Sequence, residues 1–255
     1  METDVSVTRT RADRVEATRS AILASAERLF AERGFGVSAR QIGEAAGQGN
    51  TAAVGYHFGT KEDLVRAIVR FHIPRIERLR SRLLTELRDR GGATGGSAGG
   101  SPGVRDWVRC LVVPMTEYLD DLGTPSWFAR FHAQATSEPA LRGIVTRESQ
   151  GSVPLVESLE GLHGCLPEMP VDVREERSAM ARVLMLHTCA ERERALAEGL
   201  PTARAGWAET ATGLVDVITA LWLAPSTPST LAPSTPSTPS RSSTPPRSTP
   251  PPGMP

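Results

Sequence analysis

The segment from residue 38 to residue 64, SARQIGEAAGQGNTAAVGYHFGTKEDL, constrains the fold of this chain more than any other part of it. Ser38 and Gln41 have the spacing of a capping box, in which each side chain bonds the backbone N–H of the other residue, so a helix should begin near Ala39. Gly47 should end this helix, because glycine readily adopts the left-handed conformation that a helix C-terminus and a tight turn require. The first part of the segment therefore predicts a short helix followed by a sharp turn.

A second short helix should follow the turn. Asn50 is a favourable N-cap, and the helix predicted from Thr51 to His57 has Val54 as its main inward-facing anchor. Thr60 is a further N-cap, and the acidic residues after Lys61 suit the positive end of a helix dipole, so a third helix should start at Lys61. Two short helices joined by a tight turn, with a third helix to support them, form a helix-turn-helix.

The outward face of the second helix favours binding to nucleic acid. Thr51, Ala52 and Gly55 are small, so the backbone of the helix can approach the base edges in a major groove about 12 Å wide. The residues placed to hydrogen-bond phosphates at the rim of the groove are Tyr56, His57 and Lys61. The alternative is that the Tyr-His pair only packs between helices.

Residues 17 to 69 resemble the DNA-binding domain of the tetracycline-repressor (TetR) family of bacterial regulators. The resemblance rests on AILASAERLFAERGF, on SARQIGEAAG and above all on YHFGTKEDL. It implies an all-α protein with an N-terminal three-helix helix-turn-helix DNA-binding domain, followed by a larger helical ligand-binding and dimerisation domain. It also implies a transcriptional regulator, in particular a repressor that a small-molecule effector releases from its operator.

The resemblance assigns contacts with DNA residue by residue. Ser38 and Arg40 would contact phosphate or the groove from the second helix of the domain, and His57 and Lys61 would contact phosphate. The recognition surface would comprise Asn50, Thr51, Ala52, Gly55 and Tyr56. Two departures bear on this assignment, because the turn is one residue longer than is usual in the family and Gly55 stands where a second aromatic residue is usual. The base-reading positions are therefore fixed only to within about one residue.

Charge is divided unevenly along the chain. The formal net charge is zero, but residues 1–90 carry 16 basic against 12 acidic side chains, and the remainder carries 13 against 17. The basic surplus lies in the part that holds the motif, as DNA binding requires, although such a surplus is also typical of a solvated helix face. Of the 29 basic residues only Lys61 is a lysine, and arginine favours bidentate contacts with phosphate or guanine.

The remaining patterns predict the organisation of the chain. The segments are a flexible N-terminal arm at 1–12, the helix-turn-helix domain at 13–60, a connecting helix at 61–90, a Gly-rich loop at 91–103, a helical effector-binding and dimerisation domain at 104–224 and a disordered Pro/Ser/Thr-rich tail at 225–255. Arg9, Arg11 and Arg14 in the arm could reach a minor groove, or the arm could have no role. Pro74 predicts a kink or a break in the connecting helix. Further helices are predicted at 104–122, 126–136, 139–162, 172–198 and 202–223.

The C-terminal domain carries apolar faces suited to binding and to dimerisation. The helices predicted at 172–198 and 202–223 would form a twofold-symmetric four-helix interface between two chains, unless their apolar faces pack within one chain. Methionine and aromatic side chains adapt to irregular apolar ligands. An effector pocket is therefore predicted from Trp107, Met115, Tyr118, Phe128, Phe131, His132, Met180 and Leu184, each of which could instead be ordinary core. The expected partners are a palindromic double-stranded DNA operator, a largely apolar small molecule and a second copy of the chain.

Two other classes of protein remain open. His187 and Cys189, like His163 and Cys165, have a His-x-Cys spacing that would suit a zinc- or copper-responsive regulator. Positions two apart on a helix, however, lie roughly 200° apart around its axis and cannot face one ion. The other class is a ligand-binding protein or enzyme with a non-functional DNA-binding head.

The sequence also sets expectations about catalysis and location. No catalytic constellation and no phosphate-binding loop can be assembled from it, so we expect no enzymatic activity and no cofactor. It has no apolar run of signal-peptide or membrane-spanning length, so we expect a cytoplasmic protein.

Overall fold

Ten helices account for the regular structure of the residues described by this computed structural model, which are 11–50, 52–92 and 101–226. Their bounds are α1 Arg11–Arg33, α2 Ala39–Ala45, α3 Ala53–Phe58, α4 Lys61–Gly92, α5 Val104–Leu122, α6 Phe128–Ser137, α7 Pro139–Gln150, α8 Val153–Cys165, α9 Val171–Ala197 and α10 Trp207–Leu223. No β-strand occurs in these ranges. The all-α prediction is therefore confirmed. Most of the expected arm, of the Gly-rich loop and of the tail lies outside the described residues.

The first three helices pack on the start of α4 around one apolar core, and we call α1–α3 with this part of α4 the head. Most side chains predicted to point inward here are buried, because each apolar stripe recurs every three or four residues. The main members are Ile22, Ala26, Leu29 and Phe30 from α1, Ile42 from α2, Val54 and Phe58 from α3, and Leu64, Val65, Ile68 and Val69 from α4. Leu23 and Ala46 are half-buried instead, and Ala45 is exposed at the end of α2. This core fixes which face of α3 points outward.

The turn after α2 is built as the sequence predicts. The Ser38 N–H donates to Gln41 Oε1 (2.9 Å) and the Gln41 N–H donates to Ser38 Oγ (3.3 Å), which completes the capping box. Gly47 has a φ of 68°, and the next residue, Gln48, donates its N–H to the carbonyl oxygen of Gly43 (2.9 Å). This closure of a helix end requires a left-handed residue, which explains the glycine.

The recognition helix α3 begins two residues later than predicted, at Ala53 rather than at Thr51. The N-cap position is occupied by Ala52, which has no side-chain cap. Asn50 Oδ1 instead accepts from the Ala52 N–H (2.9 Å), because an asparagine side chain can close a turn on the N–H two residues ahead as readily as it can cap a helix. The helix available for groove binding is therefore short.

A single long helix, α4, joins the head to the other helices, which we call the body. It continues through Pro74, so a break at that residue does not occur. α4 packs on α5, α7 and α8, and α5 also packs on α8 and α10. α6 packs on α9 and α7 within the body and on α1 of the head. The body therefore contacts the head through the continuous helix α4, through α6 on α1, and through Glu148 of α7, which pairs with Arg66 near the start of α4 (3.4 Å).

The helix boundaries in the body differ from the predicted ones at two places. The segment predicted as one interrupted helix at 139–162 forms two helices, α7 and α8, separated at Gly151. Ser152 caps the second of them, its Oγ accepting from the Leu155 N–H (3.4 Å). α10 starts at Trp207 rather than at Thr202. Within the described ranges, no helix is both long and apolar enough to span a bilayer.

Candidate nucleic-acid interface

The recognition helix α3 has one buried face and one face open to solvent. Ala53, Val54 and Phe58 point into the head and are buried. Gly55 and Tyr56 are exposed, and 84% of the surface of Tyr56 is accessible. Ala52, just before the helix, is exposed as well, whereas Thr51 lies outside the described residues. The face predicted to enter a major groove is thus accessible wherever it is described.

Gly55 has no structural reason to be glycine. Its φ does not lie in the left-handed region, and a β-carbon at this position would meet no heavy atom within 4 Å. In a helix interior glycine is less favourable than alanine by about 1 kcal/mol. Its effect here is to keep the exposed face of α3 free of bulk.

The polar side chains of α2 and the turn are engaged with neighbours in the head. Arg40 Nε donates to Glu44 Oε1 (2.8 Å), and this hydrogen bond raises the pKa of Arg40. Exposed ion pairs of this kind are weak, so Arg40 can exchange Glu44 for a phosphate at little cost. Ser38 takes part in the capping box, and Asn50 accepts from the backbone as described. Ser38, Arg40 and Asn50 are exposed, and their contacts with DNA stay predictions.

Two of the predicted phosphate contacts also hold the head together. Lys61 Nζ donates to the carbonyl oxygen of Phe35, just beyond α1 (2.6 Å). The carbonyl oxygen of His57 accepts from the Arg19 guanidinium (3.0 Å), which also lies 4.4 Å from the centroid of the Phe58 ring. These bonds connect α1 with the end of α3 and the start of α4. Arg19 was not predicted as a site residue, because its partners lie far away in sequence.

The residues predicted to form an effector pocket occupy different environments. Phe128 and Phe131 are fully buried, and Met115 and Tyr118 nearly so, while Met180 on α9 is 47% exposed. Leu184 and Trp107 are half-buried. The buried members belong to one continuous apolar core. An effector would have to reach this core from a surface cleft.

His132, another predicted pocket residue, lies in an aromatic stack. The ring of Phe128 stacks on the rings of both His72 and His132, with centroid distances of 4.0 Å and 5.4 Å. Both ring nitrogens of His132 are buried without a hydrogen-bond partner among the described residues. Burial, with a smaller contribution from the nearby His72, lowers the pKa of His132 to about 4. His132 is therefore a neutral core residue at physiological pH.

A cleft of about 400 Å³ lies between α4 and α5, and we call it the α4/α5 cleft. It is lined by Phe71, Arg75, Arg78, Leu79, Tyr118, Asp121 and Leu122. Only Tyr118 in this set was predicted for an effector pocket. The others carry no motif, because the cleft is formed by two helices that are distant in sequence.

His72 was not predicted as a site residue, although it joins three helices. Its Nδ1 lies 2.7 Å from the hydroxyl of Tyr118 on α5, and its Nε2 lies 2.9 Å from Glu27 Oε2 on α1. His72 itself, on α4, is 2% exposed. A buried hydrogen-bonded chain therefore runs from the α4/α5 cleft to the first helix of the head.

The Cys-His pairs considered for metal binding lie in contrasting surroundings. Cys189 is buried, and burial together with the nearby Glu193 raises the pKa of its thiol to about 12. Cys165 is exposed, and its thiol donates to the carbonyl oxygen of Pro102 (3.0 Å). In the part of the chain that the structure describes, no three His, Cys, Asp or Glu side chains come together as a metal site. No observation here favours a metal-responsive regulator.

A helix-turn-helix with an open recognition helix, joined to a larger helical body, is an arrangement typical of DNA-binding transcription regulators. Residues 22–68 match the family model described as bacterial regulatory proteins, tetR family. This segment is therefore similar to the DNA-binding part of TetR-family regulators, as its motifs predicted. No curated protein is significantly similar to the chain in sequence.

Several solved structures are similar to this chain. A TetR family transcription regulator from Marinobacter aquaeolei VT8 has a TM-score of 0.48 and 16% identity, over 82% of this chain and 97% of its own. A TetR-family regulator from Streptomyces coelicolor A3 has a TM-score of 0.40 and 21% identity, over 84% and 98%. The multidrug binding protein EbrR, complexed with imidazole, has a TM-score of 0.41 and 17% identity, over 82% and 97%. These scores are low, so the similarity to the TetR family rests on residues 22–68.

Proposed function

We propose that the protein is a repressor that binds a palindromic DNA operator as a homodimer and leaves it when a small, largely apolar effector binds. The observation that carries the proposal is the open outer face of α3, which the buried core of the head presents with Gly55 and Tyr56 exposed. A recognition helix held in this way fits a major groove. Because the operator would be chromosomal, we propose the cytoplasm as the site of action.

The proposed DNA contacts divide into two kinds. Base edges would be read from Asn50, Thr51, Ala52, Gly55 and Tyr56, and phosphates would be bound by Ser38, Arg40, His57 and Lys61. Phosphate contacts set the register of the head on the duplex, and base contacts give sequence preference. Substitutions in the two groups should therefore have different effects on affinity and on specificity.

A dimer is proposed because a twofold axis would place two recognition helices in successive major grooves. Met180 and Val183 on α9, and Val217 and Leu223 on α10, are each about half exposed. Covering such apolar side chains stabilises an interface. The apolar face of α10 that includes Trp207 is buried in the chain itself, where α10 packs on α5. The proposed interface therefore uses the opposite side of α10.

Release by an effector requires that the effector bind the free and the operator-bound states with unequal affinity. The proposed effector favours an arrangement in which the two heads stand at the wrong spacing for the operator. The apolar core near Phe128 and Phe131, which Tyr118 borders, offers the kind of surroundings that a largely apolar molecule prefers.

A binding selection with the purified full chain on fragments of its own genome tests the proposal. We expect the enriched fragments to share a palindrome with half-sites about 10 base pairs apart, or a multiple of that spacing, and the free protein to sediment as a dimer. Val183→Asp should yield a monomer that loses operator affinity. Val153→Asp, at a 76% exposed position on α8, is the matched control and should change neither property. Failure to enrich any sequence would refute the proposal.

A further inference from the structure

The α4/α5 cleft holds the two arginines at the middle of α4 that lack an acidic partner. Five of the eight arginines on this helix are paired with a carboxylate: Arg66, Arg70, Arg80, Arg82 and Arg88. Arg75 and Arg78, which are three positions apart and therefore on the same side of the helix, make no ion pair within the described residues. Asp121 lines the cleft as well, which leaves one positive charge in excess.

The same cleft offers an apolar surface beside these charges. Phe71 is 47% exposed, and the Arg75 guanidinium lies 4.1 Å from the centroid of its ring. Arg75 Nη1 donates to the carbonyl oxygen of Phe71 (3.2 Å), and the guanidinium also hydrogen-bonds the Tyr118 side chain. A guanidinium has five N–H donors, so others are left for a ligand. Aromatic rings beside unpaired guanidinium groups suit a molecule with an apolar body and one carboxylate.

The hydroxyl of Tyr118 lies between this cleft and the head. In the tautomer in which His72 Nε2 donates to the Glu27 carboxylate, Nδ1 accepts from the Tyr118 hydroxyl. Burial raises the pKa of Tyr118, an effect that Arg75 opposes in part, and the hydroxyl therefore keeps the proton that it donates. The bonds thus run in one direction, from Tyr118 through His72 to α1.

We propose that the α4/α5 cleft binds an organic carboxylate, with the anion on Arg75 and Arg78 and the apolar body against Phe71, and that Tyr118 reports its presence to the head. This inference rests on the proposed effector-controlled repression and names the chemical class of the effector. A bound carboxylate competes with His72 for the Tyr118 hydroxyl proton. The hydrogen bond between Tyr118 and His72 is then lost, which changes the contact between α4 and α1.

The test uses the full chain and two probes of nearly equal shape, 3-phenylpropanoate and the neutral 3-phenylpropanamide. Ligand-detected NMR gives both dissociation constants. We expect the amide to bind about tenfold more weakly, since a hydrogen bond to a charged group contributes at least that factor. Arg75→Gln should remove the preference for the anion. Arg90→Gln is the matched control, because Arg90 lies on the same helix outside the cleft and donates to a carbonyl oxygen of that helix (3.2 Å), and it should leave the preference unchanged.

The role of the cleft in regulation is tested with the operator obtained from the binding selection. We expect 3-phenylpropanoate to weaken operator binding by the parent chain, and Tyr118→Phe to abolish this effect. Equal binding of the two probes, no binding at their solubility limit, or an unchanged preference in Arg75→Gln would overturn the assignment of a carboxylate site. Binding of the anion without any change in operator affinity would overturn its role as effector. If no operator exists, the proposed repression fails, while the probe titration still decides the chemistry of the cleft.

Discussion

Replacing Gly55 by alanine should change stability and DNA binding in opposite directions. The added methyl group meets no atom within 4 Å and the backbone is helical, so the chain itself accommodates it without strain. Alanine is the better helix former by about 1 kcal/mol. Gly55→Ala should therefore raise the free energy of unfolding by up to about 1 kcal/mol, and the thermal midpoint by about 2–4 °C for a chain of this size.

The effect on operator binding follows from the position of Gly55 on the open face of α3. If the backbone of α3 lies against base edges, a methyl group at residue 55 overfills the contact, which costs about 1–3 kcal/mol. The operator affinity of Gly55→Ala should then fall at least about fivefold. Gly164→Ala is the matched control, because Gly164 lies in α8 and its β-carbon would also meet no atom within 4 Å. This control should gain stability and bind the operator as the parent does.

Changing the DNA identifies the group that approaches Gly55. The thymine 5-methyl is the apolar feature of the major groove, so each thymine of a half-site is replaced in turn by deoxyuridine. At the base that packs on Gly55, the parent should lose about fourfold in affinity, as expected for one buried methyl group. Gly55→Ala should gain affinity at that base, because the methyl that it contacts is gone. Circular dichroism melting and fluorescence anisotropy provide the measurements. Gly55→Ala with raised stability and full operator affinity would show that α3 does not approach the bases at this residue.

Three further outcomes are expected. Lys61→Ala should weaken binding to operator and random DNA alike, and it should reduce the slope of log affinity against log salt concentration by about one. Unchanged slopes in a salt titration would exclude Lys61 from the phosphate contacts. His132 stays neutral in the folded chain down to about pH 4 but takes up a proton below about pH 6.5 when unfolded, so the parent should lose about 3 kcal/mol of stability as the pH falls through this window. Urea unfolding of His132→Leu should lack this loss, and the same pH profile in both proteins would contradict the assignment. Glu193→Gln should lower the free energy of unfolding by about 3 kcal/mol, because it removes the charge that faces Arg130 in a buried site (3.2 Å), and a change near zero would mean that water replaces the carboxylate.

The head could be predicted closely because its determinants are local. The capping box of Ser38 and the left-handed Gly47 act within five residues of chain, and both occur as predicted. The start of α3 was misplaced because Asn50 has two local uses, as a helix cap and as the first residue of a turn, and its sequence neighbours do not distinguish them. The DNA contacts themselves stay predictions.

The body was less predictable because its contacts are not local. The apolar stripe of α10 is evident from the sequence, but periodicity does not indicate whether α5 or a second chain covers it, and α5 does. In the sequence, Arg75 and Arg78 cannot be told apart from the other arginines of α4. Only the positions of the acidic residues on other helices distinguish them, and those positions depend on the tertiary fold.

The two routes from body to head end on the same helix, α1. One passes through His72 to Glu27, and the other passes through α6, where Gln134 Nε2 donates to the carbonyl oxygen of Ala31 (2.8 Å). The start of α6 is held in turn by Glu193 of α9, whose carboxylate accepts from the N–H groups at that end of the helix. A ligand in the α4/α5 cleft acts on the first route, and a rearrangement of α9 acts on the second. Because α1 packs directly on α2, a shift of α1 relative to α4 is a movement by which either event would reach the recognition surface under the proposed function.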